Sequence, residues 1–257
     1  MERLLKIMAR LRSPEGCPWD RQQTHESLRP YVIEEAYEVV EAIDGGSSAK
    51  VAEELGDLLL QVVFHAQIAS ELGEFTFSDV VETICEKLVR RHPHIFGDVD
   101  AKDADQVLHN WERIKQEERQ SETGKPSSIL DAVPKYLPAL MYANKIQEKA
   151  ARVGFDWPSA NEAAAKVWEE VGELKEAMAG ADRERIEDEL GDLLFAVVNV
   201  ARLLKVDPEG ALRHAGAKFA ARFKFIETRA DEVGTALEDM TLEEMDEVWN
   251  EAKHSGL

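Results

Sequence analysis

The chain has 257 residues, of which 44% are hydrophobic, so its length allows two ordinary domains with proper cores. A net charge of −20 repels phosphate backbones and argues against general binding of nucleic acids. Apolar runs of 18 or more residues are absent, which argues against membrane spans, and the N-terminal stretch lacks the apolar core of a signal peptide. We therefore expect a cytoplasmic protein.

Apolar residues recur at spacings of three and four along almost the whole chain, and alternating strand patterns are absent. This periodicity predicts an all-α fold. Glycines and prolines punctuate the pattern, for example at Gly45, Pro93 and Pro208. The predicted helices, in chain order, span 2–12, 25–43, 49–72, 77–91, 104–120, 134–152, 159–179, 183–204, 208–231 and 241–253.

The sequence repeats itself after 135 residues. The motif E-E-x-x-E at 34–38 aligns with 169–173, and E-L-G-D-L-L at 54–59 aligns with 189–194 without a gap. Two further pairs follow in the same order in each half, K-x-x-x-R and W-x-x-x-K. We interpret this as a duplication and expect a domain over 1–120, a linker over 121–133 and a second domain over 134–257.

The repeated carboxylates have the spacing of a site. Glu35 and Glu38 are three residues apart, as are Glu54 and Asp57, so each pair shares one helix face. Apolar residues surround Asp57 almost completely, which predicts a buried helix and an aspartate that needs a metal or ionic partner. Asp192 has the same surroundings in the second half. The glycines at 56 and 191 suggest a close approach by another backbone or a ligand.

Carboxylates without histidine or cysteine favour a hard cation, chiefly Mg²⁺ with Mn²⁺ as a substitute. The alternative is a cluster neutralised only by lysine and arginine. In the second half the predicted cations are too few for that alternative: three, namely Lys218, Arg222 and Lys253, against the five carboxylates of Glu169, Glu170, Glu173, Glu189 and Asp192. The cations lie at helical spacing and suit phosphate oxygens, and a tryptophan between them can stack on a base or ribose.

These motifs resemble those of the MazG family, within the all-α nucleoside triphosphate pyrophosphohydrolases. Both halves carry E-E-x-x-E followed by E-x-x-D, and the stretches 16–20, 90–97 and 153–157 are also typical of full-length members. The resemblance implies two tandem helical-bundle domains, a homodimer, and Mg²⁺-dependent conversion of NTPs and dNTPs to NMP and pyrophosphate, with a role in cleaning or regulating the nucleotide pool.

By the same resemblance, residues in both halves receive roles. In the second half the metal ligands are expected to be Glu170, Glu173, Glu189 and Asp192, with Glu169 assisting catalysis and with Lys218, Arg222, Trp249 and Lys253 holding the nucleotide. A second possible site in the first half comprises Glu34, Glu35, Glu38, Glu54, Asp57, Lys87, Arg91, Trp111 and Lys115.

Other functions fit the sequence less well. A ferritin-like metal oxidase needs E-x-x-H on two helices, and a P-loop hydrolase needs G-x-x-x-x-G-K-[ST], and neither pattern is present as required. The remaining alternative is an acidic helical interaction or regulatory protein with a degenerate site in one or both halves. Pro93 should end the helix that carries Arg91, whereas the helix of Arg222 continues, so we expect the second half to be the main catalyst.

Overall fold

The computed structural model describes residues 1–100, 102–123 and 128–256. These residues form helices, turns and loops without a strand, which confirms the predicted all-α class. The helices are α1 (Glu2–Arg12), α2 (Pro18–Gln22), α3 (His25–Asp44), α4 (Ser48–Leu72), α5 (Phe77–Arg91), α6 (Pro93–Phe96), α7 (Ala104–Thr123), α8 (Ala139–Arg152), α9 (Ala160–Gly180), α10 (Arg183–Leu203), α11 (Pro208–Val233) and α12 (Leu242–His254). Among the described residues, no helix combines the length and apolar content that a membrane span requires.

The chain divides into two compact units, Met1–Glu117 and Glu118–Leu257. Helix α7 runs on to Thr123, and a short 3₁₀ helix occupies Ile129–Ala132. The linker predicted over 121–133 includes residues 124–127, which lie outside the described part of the chain. The predicted domain limits at 120 and 134 stay predictions.

In the first unit, α3 and α4 form a helical hairpin across the connection 45–47. The side chain of Thr24 caps the start of α3, and that of Ser47 caps the start of α4, so each helix begins where a hydroxyl satisfies its unpaired N–H groups. Helix α1 packs on α4 around a core of Met8, Leu28, Val63, Phe64 and Ile68. Helices α3 and α4, which carry the first set of carboxylates, therefore also contribute side chains to this core.

The second unit repeats this arrangement with α9 and α10, which are joined only by Ala181 and Asp182. Asp182 caps α10 by accepting a hydrogen bond from the Arg185 N–H. Helix α8 packs on α10 and α11, and α12 packs on α11. Buried Val198 and Ile226 belong to this unit's core.

The helix ends follow the prolines. Helix α5 ends at Arg91 and α6 begins at Pro93, whereas α11 passes Arg222 without a break, as predicted. The start predicted for α8 at 134 is wrong, because the helix begins at Ala139, after Pro138. Proline disfavours helical backbone in the residue before it, so Pro134 and Pro138 keep 133 and 137 out of a helix. The short helices α2 and α6 were not predicted.

The expectation that α4 and α10 are buried all round is wrong for the single chain. Asp192 is exposed and Asp57 is half-buried, while Leu190 and Leu194 are 46% and 50% exposed. Within its unit each hairpin is covered on part of its surface only, so the remaining apolar side chains face outward. A Cβ at Gly56 or Gly191 would meet nothing within 4 Å among the described residues, so no backbone of the chain approaches closely there, and the approach of a ligand stays a prediction.

Candidate metal and nucleotide site

Three carboxylates converge in the second unit. Helix α9 contributes Glu170 and Glu173, one turn apart, and α10 contributes Glu189. One oxygen of each lies within 4.8 Å of the others, which is the spacing at which one cation can bridge them. Glu170 is buried, and its Oε2 has no hydrogen-bond partner among the described residues. The hairpin geometry thus brings together three of the four predicted ligands.

Two cations that the sequence analysis did not select hold this cluster. The Nζ of Lys166 lies 2.7 Å from Glu170 Oε1 and 2.7 Å from Glu169 Oε1, and Arg185 Nε lies 3.5 Å from Glu189 Oε1. Both pairs have four-residue spacing to the buried or half-buried glutamate, the pattern K/R-x-x-x-E, which could have identified them. Added to Lys218, Arg222 and Lys253, these two make five cations against the five selected carboxylates. The charge imbalance used to favour a metal is therefore wrong.

The pKa values of the two clustered glutamates of α9 are shifted in opposite directions. The hydrogen bond from Lys166 lowers the pKa of Glu170 despite its burial. The pKa of Glu173 is raised, first by its hydrogen bond with Glu170, then by burial and by the neighbouring negative charge. Like charges this close favour the binding of a cation, so the raised pKa of Glu173 fits a cation-binding cluster.

The first unit contains the same cluster. Glu35 and Glu38 of α3 and Glu54 of α4 each place an oxygen within 4.8 Å of the other two. Burial raises the pKa of Glu38, with the charges of Glu54, Glu35 and Glu34 adding to it. Lys50 lies 2.7 Å from Glu54, at the position equivalent to Arg185 in the second unit. Both copies therefore retain carboxylates that could hold a metal.

The two predicted aspartate ligands occupy different surroundings from the glutamates. Neither Asp57 nor Asp192 belongs to a three-member group among the described residues. Asp192 nevertheless lines the same cavity as Glu170 and Lys166 in the second unit. Their role as metal ligands therefore stays a prediction.

Three of the predicted nucleotide-binding cations lie over the rings of the two predicted tryptophans. Arg91 lies over the Trp111 ring at 5.7 Å from its centroid, and Lys115 Nζ lies at 4.0 Å. In the second unit Arg222 lies over Trp249 at 5.4 Å. The remaining predicted cations have mixed exposure: Lys87 is half-buried, and Lys218 and Lys253 are exposed. Each unit thus pairs an indole with a guanidinium.

Comparison with known proteins gives the family. The family model described as "MazG nucleotide pyrophosphohydrolase domain" matches residues 23–96 and again 159–225. A nucleoside triphosphate pyrophosphohydrolase/pyrophosphatase MazG from Thermotoga maritima is 52% identical over 98% of this chain and 95% of its own length.

Two more relatives extend this result. The nucleoside triphosphate pyrophosphohydrolase of Escherichia coli K12 is 47% identical over 98% of this chain and 97% of its own length. The uncharacterized protein YabN of Bacillus subtilis is 52% identical over 97% of this chain but only 50% of its own length. Each carboxylate cluster lies within one of the two matched segments. The chain therefore belongs to the MazG nucleotide pyrophosphohydrolase family and carries the family's domain twice.

Proposed function

We propose that the protein hydrolyses NTPs and dNTPs to NMP and pyrophosphate with Mg²⁺, in the cytoplasm, to clean or regulate the nucleotide pool. The observation that carries this proposal is the pair of three-carboxylate groups, one on each hairpin, inside the segments that match the family. The names of the relatives from T. maritima and E. coli describe the same reaction. Water adds to the α- or β-phosphorus, and the P–O bond that joins that phosphorus to the oxygen between the α- and β-phosphates breaks. NMP and pyrophosphate are then released.

The residues present fit a divalent cation. All of the clustered donors are carboxylate oxygens, which suits Mg²⁺ or Mn²⁺. The unpartnered Oε2 of Glu170 supplies a buried acceptor that a cation would satisfy. When bound, the ion acts as a Lewis acid, offsets the charge of the triphosphate and acidifies a water molecule. Glu170, Glu173, Glu189 and Asp192 are the proposed ligands.

The chain's own groups then position the substrate. Glu169 is 59% exposed at its side chain and is ion-paired with Lys166, so it can orient a water beside the cluster. Arg222 and Lys218 offer donors for phosphate oxygens from α11. Lys253 and Trp249 extend this surface from α12. We propose that this second copy is the main catalyst, because α11 carries its cations on an unbroken helix.

The assay is release of pyrophosphate from each common NTP and dNTP, with Mg²⁺ and then with EDTA. Pyrophosphate is expected only with the metal, and Glu173→Gln should remove most of it because the substitution deletes a ligand charge. Glu187→Gln is the matched control, since Glu187 lies on α10 outside the cluster and is exposed. Orthophosphate and NDP as main products would refute the reaction. A folded protein that releases neither would favour the acidic interaction or regulatory protein instead.

A further inference from the structure

The two carboxylate clusters differ in the cations that contact them. Lys50 in the first unit and Arg185 in the second occupy equivalent positions, so they do not distinguish the clusters. The difference lies on the other helix of each hairpin. In the second unit, Lys166 of α9 places its Nζ 2.7 Å from an oxygen of Glu169 and 2.7 Å from an oxygen of Glu170.

The first unit has a tyrosine in place of that lysine. With the shift of 135 residues, Tyr31 of α3 corresponds to Lys166, and Glu35 corresponds to Glu170. Tyr31 is 38% exposed, and its ring lies edge-on to the ring of Trp19 at 6.2 Å. Within the described part of the chain, no lysine or arginine forms an ion pair with Glu35. The first cluster is therefore contacted by one cation fewer than the second.

A neutral amide contacts Glu35 instead. Gln61 lies on α4 seven residues after Glu54, which is two helical turns, so both side chains occupy one face of the helix. The Nε2 of Gln61 donates a hydrogen bond of 3.5 Å to Glu35 Oε1. The corresponding residue of the second unit is Ala196. Gln61 thus holds a clustered carboxylate without adding charge, as the hydrogen-bonding partners of metal ligands commonly do.

The oxygen of the same amide lacks a partner. Gln61 is 7% exposed, and its Oε1 is buried and accepts no hydrogen bond among the described residues. An unpartnered oxygen beside carboxylates is unfavourable unless positive charge is close by. Glu35, Glu38 and Glu54 each place an oxygen within 4.8 Å of the other two, so a cation held there would supply that charge.

We propose that the cluster of the first unit binds a divalent cation without nucleotide and more tightly than the cluster of the second unit, and that Gln61 is a positioning residue for Glu35. In the second unit the ion competes with Lys166 for Glu170, whereas no ammonium competes for Glu35. The ion joins α3 to α4 and stabilises the first unit. The inference rests on the cation sites of the proposed function and does not require that either copy hydrolyses NTPs.

The test is a titration of the full chain with Mn²⁺, without nucleotide, after a chelator has removed bound metal. The electron paramagnetic resonance signal of free Mn²⁺ gives the bound fraction. Two classes of site are expected. Glu35→Gln should abolish the tighter class, and Glu170→Gln should abolish the weaker class. Mn²⁺ should also raise the Tm of the wild type at concentrations that fill only the tighter class, and Glu35→Gln should remove this rise.

Two substitutions of Tyr31 test the role of charge. Tyr31→Lys introduces an ammonium at the spacing that Lys166 has to Glu170, and it should weaken the tighter class about tenfold, as expected for one charged hydrogen bond that the ion must replace. Tyr31→Gln is the matched control, because it also removes the ring but adds no charge, and it should leave the affinity unchanged.

Gln61→Leu tests the positioning role. It keeps most of the volume of the side chain and removes both polar atoms, so the tighter class should weaken about tenfold while the weaker class stays unchanged. A purely structural role would lower the Tm without changing the Mn²⁺ affinity, and that result would overturn the role of Gln61. Circular dichroism establishes that each variant is folded.

The proposal would be overturned by a wild type that binds no Mn²⁺ without nucleotide, by two sites of equal affinity, or by loss of the tighter class in Glu170→Gln. Equal weakening by Tyr31→Lys and Tyr31→Gln would overturn the role of charge. If the first cluster binds Mn²⁺ as expected but the protein releases no pyrophosphate, the hydrolytic function fails and this inference stands. Pyrophosphate release by a protein whose first cluster binds no Mn²⁺ would have the opposite meaning.

Discussion

Glu170 and Glu173 lie one turn apart on α9, yet their acidities move in opposite directions. The pKa of Glu170 is lowered by Lys166, whereas the pKa of Glu173 is raised chiefly by its hydrogen bond with Glu170. Binding of a divalent cation should lower the pKa of Glu173 and compete with Lys166 for Glu170.

The two aspartates test which copy is catalytic. Asp192→Asn keeps the shape of the side chain and removes a charge next to the second cluster. We expect it to lower NTP hydrolysis by roughly 10²–10³-fold, which corresponds to about 3–4 kcal/mol of barrier. Asp57→Asn should leave more than half of the activity. The measurement is kcat for pyrophosphate release, with Asp188→Asn on the exposed side of α10 as control.

The opposite pattern would assign catalysis to the first copy, and a loss of about half in each variant would show that both copies work.

The sequence predicts some residues of the site better than others. Three-residue spacing on a helix fixes which face a side chain occupies, so the convergence of Glu35 with Glu38 could be predicted before any tertiary contact was known. The four-residue spacing of Lys166 and Glu170 on α9 could have predicted their contact in the same way. The hydrogen bond from Gln147 to the Phe195 carbonyl oxygen could not be predicted, because it depends on how α8 packs on α10.

At the scale of elements, local chemistry determined most of the helix ends. Helix α5 spans the predicted range 77–91, because the Thr76 hydroxyl caps its start and Pro93 follows its end. The five-residue α2 is too short to show a helical period, so the apolar pattern could not predict it.

Gly154 offers a test of the turn that closes α8. Its φ of +89° is strained for any residue with a Cβ, so Gly154→Ala should lower the free energy of unfolding by about 1–2 kcal/mol. Gly216→Ala in α11 is the control: a Cβ there meets nothing within 4 Å, and alanine should stabilise the helix by about 0.5–1 kcal/mol. Urea unfolding of both variants gives the comparison; an equal response would show that the turn is unstrained.

The contact between α3 and α4 contains a histidine pair that should make the first unit sensitive to acid. The Nδ1 atoms of His25 and His65 lie 2.6 Å apart, and the rings stack at 4.9 Å. Burial, and then the charge of His25, lowers the pKa of His65 below its ordinary value of 6.5. The unfolded chain therefore binds a proton more readily than the folded chain, and the free energy of unfolding should fall as the pH drops below about 6.5.

His65→Gln removes the titrating ring and keeps a hydrogen-bonding group. Thermal melts at about pH 7.5 and pH 5.5 should therefore show a smaller loss of Tm in this variant than in the wild type. An identical loss in the two proteins would place the acid sensitivity elsewhere.

At the scale of the whole molecule, the second unit leaves a large apolar surface uncovered. Trp168 is 75% exposed, and Val197, Leu204 and Val206 are 47%, 59% and 47% exposed. These residues line one shallow depression formed by α9, α10 and the loop that follows α10. Contiguous apolar surface of this kind marks an interaction site more often than a solvated face. It also accounts for the apolar pattern around Asp192, which the single chain does not bury.

We expect a second copy of the chain to cover this surface, so that two α9–α10 hairpins complete one four-helix core. Light scattering at micromolar concentration should then give twice the chain mass of 28.9 kDa. Val197→Glu places a charge in the depression and should shift the protein toward monomer, because an unpaired buried carboxylate is unfavourable. Leu242→Glu is the matched control, since Leu242 is 77% exposed on α12 and lies outside the depression. A wild-type mass of 28.9 kDa at this concentration would exclude the homodimer. A Val197→Glu protein that stays dimeric would move the interface to another face.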